Sequence, residues 1–147
     1  MRILPTALAG IAVMAAGAAL AGCGNSTAQA GGSAIRPKPV LVFGQTGLGP
    51  GDFNYPRAIA IDPDDHVYVV DKTARIQRYN SQGKYELGWQ MPEYSSGKPT
   101  GISIGPDRNV YVADTHYYRV MIYDTSGSKT GQFGSKGTGP GEFLLLT

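Results

Sequence analysis

Carboxylates and a histidine clustered between residues 62 and 66 are the first candidate for chemistry in this chain of 147 residues. The segment reads Asp62-Pro63-Asp64-Asp65-His66, and carboxylate oxygens held close together are the ligands that calcium prefers. A calcium loop of the EF-hand type also needs a glycine at its sixth position and a glutamate at its twelfth, and this segment has neither. Aspartate and proline favour tight turns, so we predict a hairpin turn here and no metal site.

The chain has two histidines, His66 and His116. Catalytic zinc usually has three protein ligands, so two histidines in different turns fall short of such a site. His116 lies in the segment Thr115-His116-Tyr117-Tyr118, whose side chains combine apolar area with hydrogen-bonding groups. That composition suits contact with a ligand or a protein, and packing against neighbouring structure is the alternative. No catalytic residue and no cofactor is predicted.

A second variable segment, Glu93-Tyr94-Ser95-Ser96-Gly97-Lys98, is also rich in polar and aromatic side chains. Variable loops on a regular scaffold are common places for binding residues. The candidate binding residues are Glu93, Tyr94, Lys98, His116, Tyr117 and Tyr118.

Both variable segments interrupt an internal repeat. The segment from Pro56 to Tyr79 recurs from Pro99 to Tyr123, with an offset of 43 before the turn that contains His116 and 44 after it. The segment FGQTGLGPGDF at 43–53 recurs as FGSKGTGPGEF at 133–143, an offset of 90. A period near 45 residues is the spacing of a propeller blade, and one blade cannot bury its apolar face alone.

An aspartate and an arginine recur at the same place in each unit: Asp71 and Arg75 in the first, Asp114 and Arg119 in the second. A carboxylate at a turn can accept backbone N–H groups or pair with an arginine across the hairpin. Because catalytic residues rarely need to appear once per repeat, we interpret these four residues as structural.

Short runs of β-branched and aromatic residues, separated by Gly, Pro, Asn and Asp, predict strands. The chain is therefore predicted to be all-β, with about two antiparallel four-stranded propeller blades and partial flanking ones. Trp89 aligns with Phe43 and Phe133, and we expect it to belong to the core. The predicted strands are Val40–Phe43, Ala58–Ile61, Val67–Val70, Arg75–Tyr79, Tyr85–Trp89, Gly101–Ile104, Val110–Ala113, Arg119–Tyr123 and Lys129–Phe133.

Three segments carry a close resemblance to the NHL-repeat family: Gly49-Pro50-Gly51-Asp52-Phe53, Val67-Tyr68-Val69-Val70-Asp71 and Tyr111-Val112-Ala113-Asp114. The resemblance implies a β-propeller, commonly six-bladed, that serves mainly as a binding platform. Related propellers of the amidating-lyase type bind zinc through a histidine four residues after the blade aspartate. This chain has Tyr118 at that place, so we do not carry the zinc site over.

The first 22 residues have the pattern of a secretory signal, with Arg2 near the start, an apolar run at Ile3–Leu20 and small residues before Cys23. A membrane-spanning helix is the alternative, but glycines and a proline interrupt a run that is marginal in length. The ending Leu20-Ala21-Gly22-Cys23 resembles the lipobox of bacterial lipoproteins, which implies that Cys23 is lipidated. Residues 23–38 are rich in Gly, Ser and Ala and are predicted to be a flexible tether before the blades at 39–147.

The charges argue against nucleic-acid binding, because 13 Lys and Arg are interspersed with 11 Asp and Glu and form no basic stripe. We expect an extracytoplasmic propeller of the bacterial cell envelope, periplasmic or surface-facing, that is anchored to the membrane through Cys23. Its expected role is binding or scaffolding of a protein or small-molecule ligand. The alternatives are an extracytoplasmic metal-dependent lyase or hydrolase on a complete propeller, and a cytoplasmic nucleic-acid binder whose Cys23 is not lipidated.

Two blades do not close a ring, and an open stack exposes strand edges and apolar blade faces. By the offset of 90, Thr147 corresponds to Arg57, one residue into a further blade. We therefore expect the chain to be the N-terminal part of a longer protein. A ring built from several copies of the chain is the less favoured alternative.

Overall fold

The computed structural model describes residues 37–96 and 98–146. The predicted signal segment, Cys23 and the tether as far as residue 36 lie outside the described residues. Within the part of the chain that is described, no helix is long and apolar enough to cross a membrane.

Two four-stranded antiparallel sheets follow one another along the chain, and the strands of each pair in sequence order. The first blade consists of β1 (Pro56–Ile61), β2 (Val67–Asp71), β3 (Arg75–Tyr79) and β4 (Tyr85–Gln90). The second blade consists of β5 (Gly101–Ile104), β6 (Val110–Asp114), a 3-10 turn (Thr115–Tyr117), β7 (Arg119–Tyr123) and β8 (Lys129–Phe133). The short parallel strands β9 (Ser135–Lys136) and β10 (Glu142–Phe143) follow. The predicted fold class is confirmed.

Side-chain alternation along the strands places the core between the two blades. Tyr68 and Val70 of β2 are fully buried on one side of it, and Val110 and Val112 of β6 are fully buried on the other. Successive residues of a strand point to opposite faces of the sheet, so each blade contributes one face to this core. The other members of the cluster are Ala74, Ile76, Met91, Met121 and Tyr123.

The predicted strand at Val40–Phe43 is wrong, because these residues pair with no strand in the described part of the chain. The equivalent segment in the repeat is β8, which pairs with β7. Among the described residues, no strand lies beside residues 40–43 as β7 lies beside β8. A strand is stable only when its backbone groups find a ladder partner, so the same place in the repeat is a strand in β8 and is not a strand at residues 40–43. Phe43 still packs on Tyr79, with 5.0 Å between the ring centroids.

The other eight predicted strands are present, with ends that differ by two residues or fewer. The largest difference is at β1, which begins at Pro56, because Pro56 pairs with Asp71 across a bulge before Ala58. A bulge breaks the alternation of side chains along the strand, so the sequence pattern does not predict the residues before it.

Candidate binding surface

Asp71 and Arg75 form an ion pair across the turn between β2 and β3, with 2.7 Å between Oδ2 and Nη2. The Asp71 side chain is 1 % exposed, and its oxygens also accept the backbone N–H groups of Thr73 (2.8 Å) and Asn54 (3.2 Å). Burial by itself would raise the pKa of Asp71, but hydrogen bonds from Thr73 and Arg75 outweigh it and lower the pKa. The carboxylate is therefore ionised and fully used inside the blade.

The Arg75 guanidinium also holds residues 43–53, which we call the N-terminal connector. A guanidinium has five N–H donors in a fixed plane, so one arginine can satisfy several carbonyl groups at once. Its carbonyl acceptors in the connector belong to Gly47, Leu48, Gly49 and Asp52. Arg75 therefore fixes the chain that precedes the blade to the turn at the end of β2.

In the second blade, the equivalent pair is less well satisfied. Arg119 Nε donates to Asp114 Oδ2 over 2.9 Å, but the buried Oδ1 of Asp114 has no hydrogen-bond partner among the described residues. The inserted residue turns the chain through Thr115–Tyr117, so no group takes the place that Thr73 has beside Asp71. Burial raises the pKa of Asp114, and the opposing effect of Arg119 does not cancel it.

Arg119 also contacts the segment before its blade. Its partner there is a carboxylate, whereas the partners of Arg75 are backbone carbonyl groups. Its Nη2 forms an ion pair with Glu93 at 2.5 Å, and its guanidinium lies over the Tyr117 ring, 4.9 Å from the centroid. Burial would lower the pKa of Arg119, but the hydrogen bonds and charges of Asp114 and Glu93 raise it. The arginine therefore links the two variable segments.

Backbone hydrogen bonds join the same two segments directly. The N–H of Ser96 donates to the Tyr117 hydroxyl over 3.1 Å, and the N–H of Lys98 donates to Nδ1 of His116 over 3.3 Å. Because Nδ1 accepts, we assign the proton of the neutral imidazole to Nε2. We call the joined residues, 93–96, 98 and 115–118, the variable surface.

The six candidate binding residues all lie on this surface, but in different surroundings. Glu93, His116 and Tyr117 take part through their side chains, whereas the recorded contact of Lys98 is its backbone N–H. Tyr94 is 51 % exposed. The Tyr118 ring lies near residues 133–143, with Lys136 Nζ 5.2 Å from its centroid. Sequence reasoning missed Arg119 as the residue that positions the surface, although the glycine-rich connector before the first blade is replaced before the second by a segment that carries Glu93, which was a usable signal.

The cluster at residues 62–66 is a satisfied turn. Asp62, Asp64 and His66 each place one ligand atom within 4.8 Å of the others. However, Asp62 Oδ1 accepts the backbone N–H groups of Asp64 and His66, both at 2.9 Å, and Oδ2 accepts the Tyr68 hydroxyl at 3.1 Å. Burial acts to raise the pKa of Asp62, but these hydrogen bonds prevail and lower it. The hydrogen bonds agree with the predicted hairpin turn.

His66 and His116 lie at opposite ends of the blades. The turn after β1 and the turn after β5 are neighbours, because Arg108 of one pairs with Asp64 of the other at 3.0 Å. Successive turns of an antiparallel sheet lie at opposite ends, so the turn after β6 is far from both. The two histidines therefore cannot share a ligand.

Trp89 lies on the outer strand β4 and packs against the core between the blades. Its ring centroid is 5.6 Å from that of Tyr123 in the second blade and 6.4 Å from that of Tyr68 in the first. The indole therefore joins the blades and takes no part in the variable surface.

Residues 53–79 match the family model of the NHL repeat. Among solved structures, a catalytically inactive virginiamycin B lyase from Staphylococcus aureus with quinupristin is 22 % identical at a TM-score of 0.50, over 65 % of this chain and 30 % of that chain. Regucalcin, a calcium-binding protein from Agrobacterium tumefaciens, is 22 % identical at a TM-score of 0.44, over 55 % of this chain and 30 % of that chain. The chain spans less than a third of the length of these structures.

The virginiamycin B lyase likeness concerns the fold, which is a β-propeller. Together with the family match and the two four-stranded sheets, it defines the class of this protein. The chain is a β-propeller protein whose first blade carries an NHL repeat.

Proposed function

We propose that this chain is a lipid-anchored, extracytoplasmic binding module whose variable surface contacts a protein or small-molecule ligand. One observation carries the proposal: the two segments in which the blades differ, described at residues 93–96 and 98 and at residues 115–118, contact each other at one end of the second blade. Of the residues that recur in both blades, Asp71 and Arg75 serve a turn and a connector instead, and Arg119 positions the variable surface. Departures from a repeat that gather in one place are expected where a surface has acquired a separate role.

The chemistry of the variable surface suits recognition. Tyrosine side chains supply apolar area together with a hydroxyl and lose little entropy on binding, which is why they are enriched at interfaces. Tyr94 and His116 are exposed, and Tyr117 is held in place by Arg119 and the Ser96 N–H. A partly exposed surface with fixed aromatic rings has less to reorganise when a ligand arrives.

Two buried carboxylates of the first blade are unsuited to acid–base chemistry. Asp62 and Asp71 are both engaged by several hydrogen-bond donors of their own blade, and both have lowered pKa values. A general acid or base at neutral pH needs a pKa near the working pH, so neither group is suited to that role. We therefore interpret both aspartates as structural residues.

Membrane anchoring rests on the lipobox-like sequence that ends at Cys23. A cell that expresses the chain with radiolabelled palmitate should give a labelled protein, and Cys23→Ala should remove the label. Ser33→Ala, a change in the predicted tether, is the matched control and should keep it. Label that persists in Cys23→Ala would contradict lipid anchoring.

The binding surface can be tested with a photo-crosslinking amino acid in living cells. Placed at Tyr94, it should give an adduct of higher mass, because this position is exposed on the variable surface. Placed at Lys84, in an exposed turn at the opposite end of the first blade, it should give none of that product. A second change, Tyr117→Ala, should weaken the Tyr94 adduct. Equal adducts from positions 84 and 94, or none from position 94, would refute the proposed surface.

A further inference from the structure

The two histidines of the chain use the same ring nitrogen in opposite ways. Nδ1 of His66 lies 3.0 Å from Oδ2 of Asp62, and because an ionised carboxylate can only accept, this nitrogen must carry a proton. Nδ1 of His116 lies 3.3 Å from the backbone nitrogen of Lys98. A backbone N–H can only donate, so this second Nδ1 must carry no proton. The two neutral rings are therefore assigned opposite tautomers.

Protonation of the imidazole has opposite consequences for these two contacts. An imidazolium carries an N–H group on both ring nitrogens, so a charged His66 keeps its hydrogen bond to Asp62 and gains an ion pair. A charged His116 loses its acceptor, and its new N–H group would face the N–H of Lys98. The hydrogen bond from the Lys98 N–H to Nδ1 of His116, which we call the histidine contact, therefore requires a neutral ring. Histidine ordinarily changes its charge between about pH 5 and 8, so mild acid acts on this contact.

The histidine contact is one of three links between the two segments of the variable surface. The others are the hydrogen bond from the Ser96 N–H to the Tyr117 hydroxyl and the ion pair of Glu93 with Arg119. Neither of these two involves the imidazole. Loss of the histidine contact therefore releases residue 98 while the earlier part of the segment stays attached.

The charged groups on and beside the variable surface make a protonated ring unfavourable for the histidine contact. They are Asp114 of β6, Arg119 of β7, Glu93 and Lys98 of the segment before the second blade, and Lys136 of β9. These are three cations and two carboxylates, and both carboxylates already pair with Arg119. A proton on His116 adds a fourth cation. Burial raises the pKa of Asp114, with Arg119 and His116 among the opposing charges, so one of the two negative charges is lost early as the pH falls.

We propose that the histidine contact makes the variable surface sensitive to pH, so that it binds its ligand more tightly at neutral pH than in mild acid. This inference rests on the proposed function of the variable surface as a binding site. With the contact made, residue 98 is held against the turn that contains His116, and the surface is already ordered when a ligand arrives. With the contact broken, the segment has to be ordered again on binding, which lowers the affinity.

Hydrogen exchange at single amides tests the histidine contact in the full chain without a ligand. After correction for the intrinsic rate at each pH, protection of the Lys98 N–H should fall about 2- to 12-fold between about pH 8 and about pH 5, which corresponds to one hydrogen bond. The Ser96 N–H is the internal control and should keep its protection, because its acceptor is the Tyr117 hydroxyl. Unchanged protection of Lys98, or an equal loss at Ser96, would overturn the proposal.

Two substitutions of His116 separate the acceptor from the charge. Asparagine offers an amide oxygen near the position of Nδ1 and does not titrate, so His116→Asn should protect the Lys98 N–H at both pH values. Phenylalanine keeps a ring without an acceptor, so His116→Phe should lack this protection at both. His66→Asn is the matched control and should leave the pH dependence at Lys98 unchanged, since asparagine already occupies the equivalent position, Asn109, in the second blade. Loss of protection in His116→Asn over the same pH range would show that another group titrates.

The effect on ligand binding is measured with the photo-crosslinking amino acid at Tyr94. In cells held at about pH 8 and at about pH 5, the adduct should weaken at the lower pH with His116 present and stay nearly equal in His116→Asn. An adduct that weakens equally in both forms would refute control by the histidine contact. No adduct at either pH would refute the proposed binding surface instead, and the exchange of the Lys98 N–H then decides alone whether the contact responds to pH.

Discussion

The Trp89 side chain of the first blade lies directly on Gly127 in a turn of the second. A Cβ atom at position 127 would be 2.7 Å from Trp89 Cε3, which is closer than two carbon atoms can approach. Phe43 covers Gly83 in the same way, since a Cβ there would also be 2.7 Å from the Phe43 ring. Each unit is therefore joined to the next by an aromatic ring on a glycine, and both glycines have left-handed backbones.

Gly127→Ala should lower the free energy of unfolding by about 2–5 kcal/mol. About 1–2 kcal/mol arises from the left-handed backbone, and overpacking against Trp89 adds about 1–3 kcal/mol. Gly141→Ala is the control, because Gly141 has a φ of 76° but no atom within 4 Å of its added Cβ. Urea denaturation measures the loss of stability in each variant. If the two variants lose the same stability, the contact with Trp89 contributes nothing.

Asp71→Asn should lower the free energy of unfolding by about 3 kcal/mol at neutral pH, because it leaves the partly buried Arg75 guanidinium without its carboxylate partner. The pKa of Asp71 is lowered in the folded state, so its contribution is fully present above the unfolded pKa of about 3.9. The contribution is lost as the pH falls through the folded pKa. Denaturation curves from pH 7 downward should therefore converge for wild type and variant. A constant difference at all pH values would contradict an ionised Asp71.

Asp114→Asn should be less harmful than Asp71→Asn, although the two residues are equivalent in the repeat. Burial raises the pKa of Asp114, so the unfolded chain ionises first as the pH rises. Wild type therefore loses stability between the unfolded and the folded pKa, whereas the amide does not titrate. Over that pH range, the free energy of unfolding of the variant should rise relative to that of wild type. A fall relative to wild type would show that the effect of Arg119 on the pKa of Asp114 outweighs that of burial.

Sequence predicted the strands of both blades because alternation and turn residues are local signals. The failure at Val40–Phe43 has a non-local cause, since these residues occupy the place of β8 in the repeat but the partner strand is missing from the described residues. The contact between residues 96 and 117 could not be predicted either, because it has no counterpart in the other blade. A repeat predicts what its copies share, and the variable surface consists of what they do not share.

Arg75→Lys should loosen the N-terminal connector while the blade stays folded. Lysine carries its charge at one point and cannot reach four carbonyl groups and Asp71 together. Amide hydrogen exchange at Gly47, Asp52 and Phe53, whose N–H groups are bonded within the connector, should become faster. Arg108→Lys is the control, because the Arg108 pair with Asp64 is exposed and such pairs contribute about 0–1 kcal/mol. Unchanged exchange in Arg75→Lys would mean that the connector holds its shape without the guanidinium.

Tyr79 and Tyr123 should ionise late in an ultraviolet titration. Burial raises the pKa of each phenol to about 12, and neither hydroxyl has a hydrogen-bond partner among the described residues. Because the unfolded phenol has a pKa near 10, stability is expected to fall as the pH rises from about 10 toward 12. Tyr79→Phe and Tyr123→Phe should each remove one late phenolate and reduce that fall, at little cost at neutral pH, since an unpartnered hydroxyl contributes little. Tyr117→Phe is the control, because hydrogen bonds with Ser95 and Ser96 lower the pKa of the Tyr117 phenol, so this change should remove an early phenolate instead.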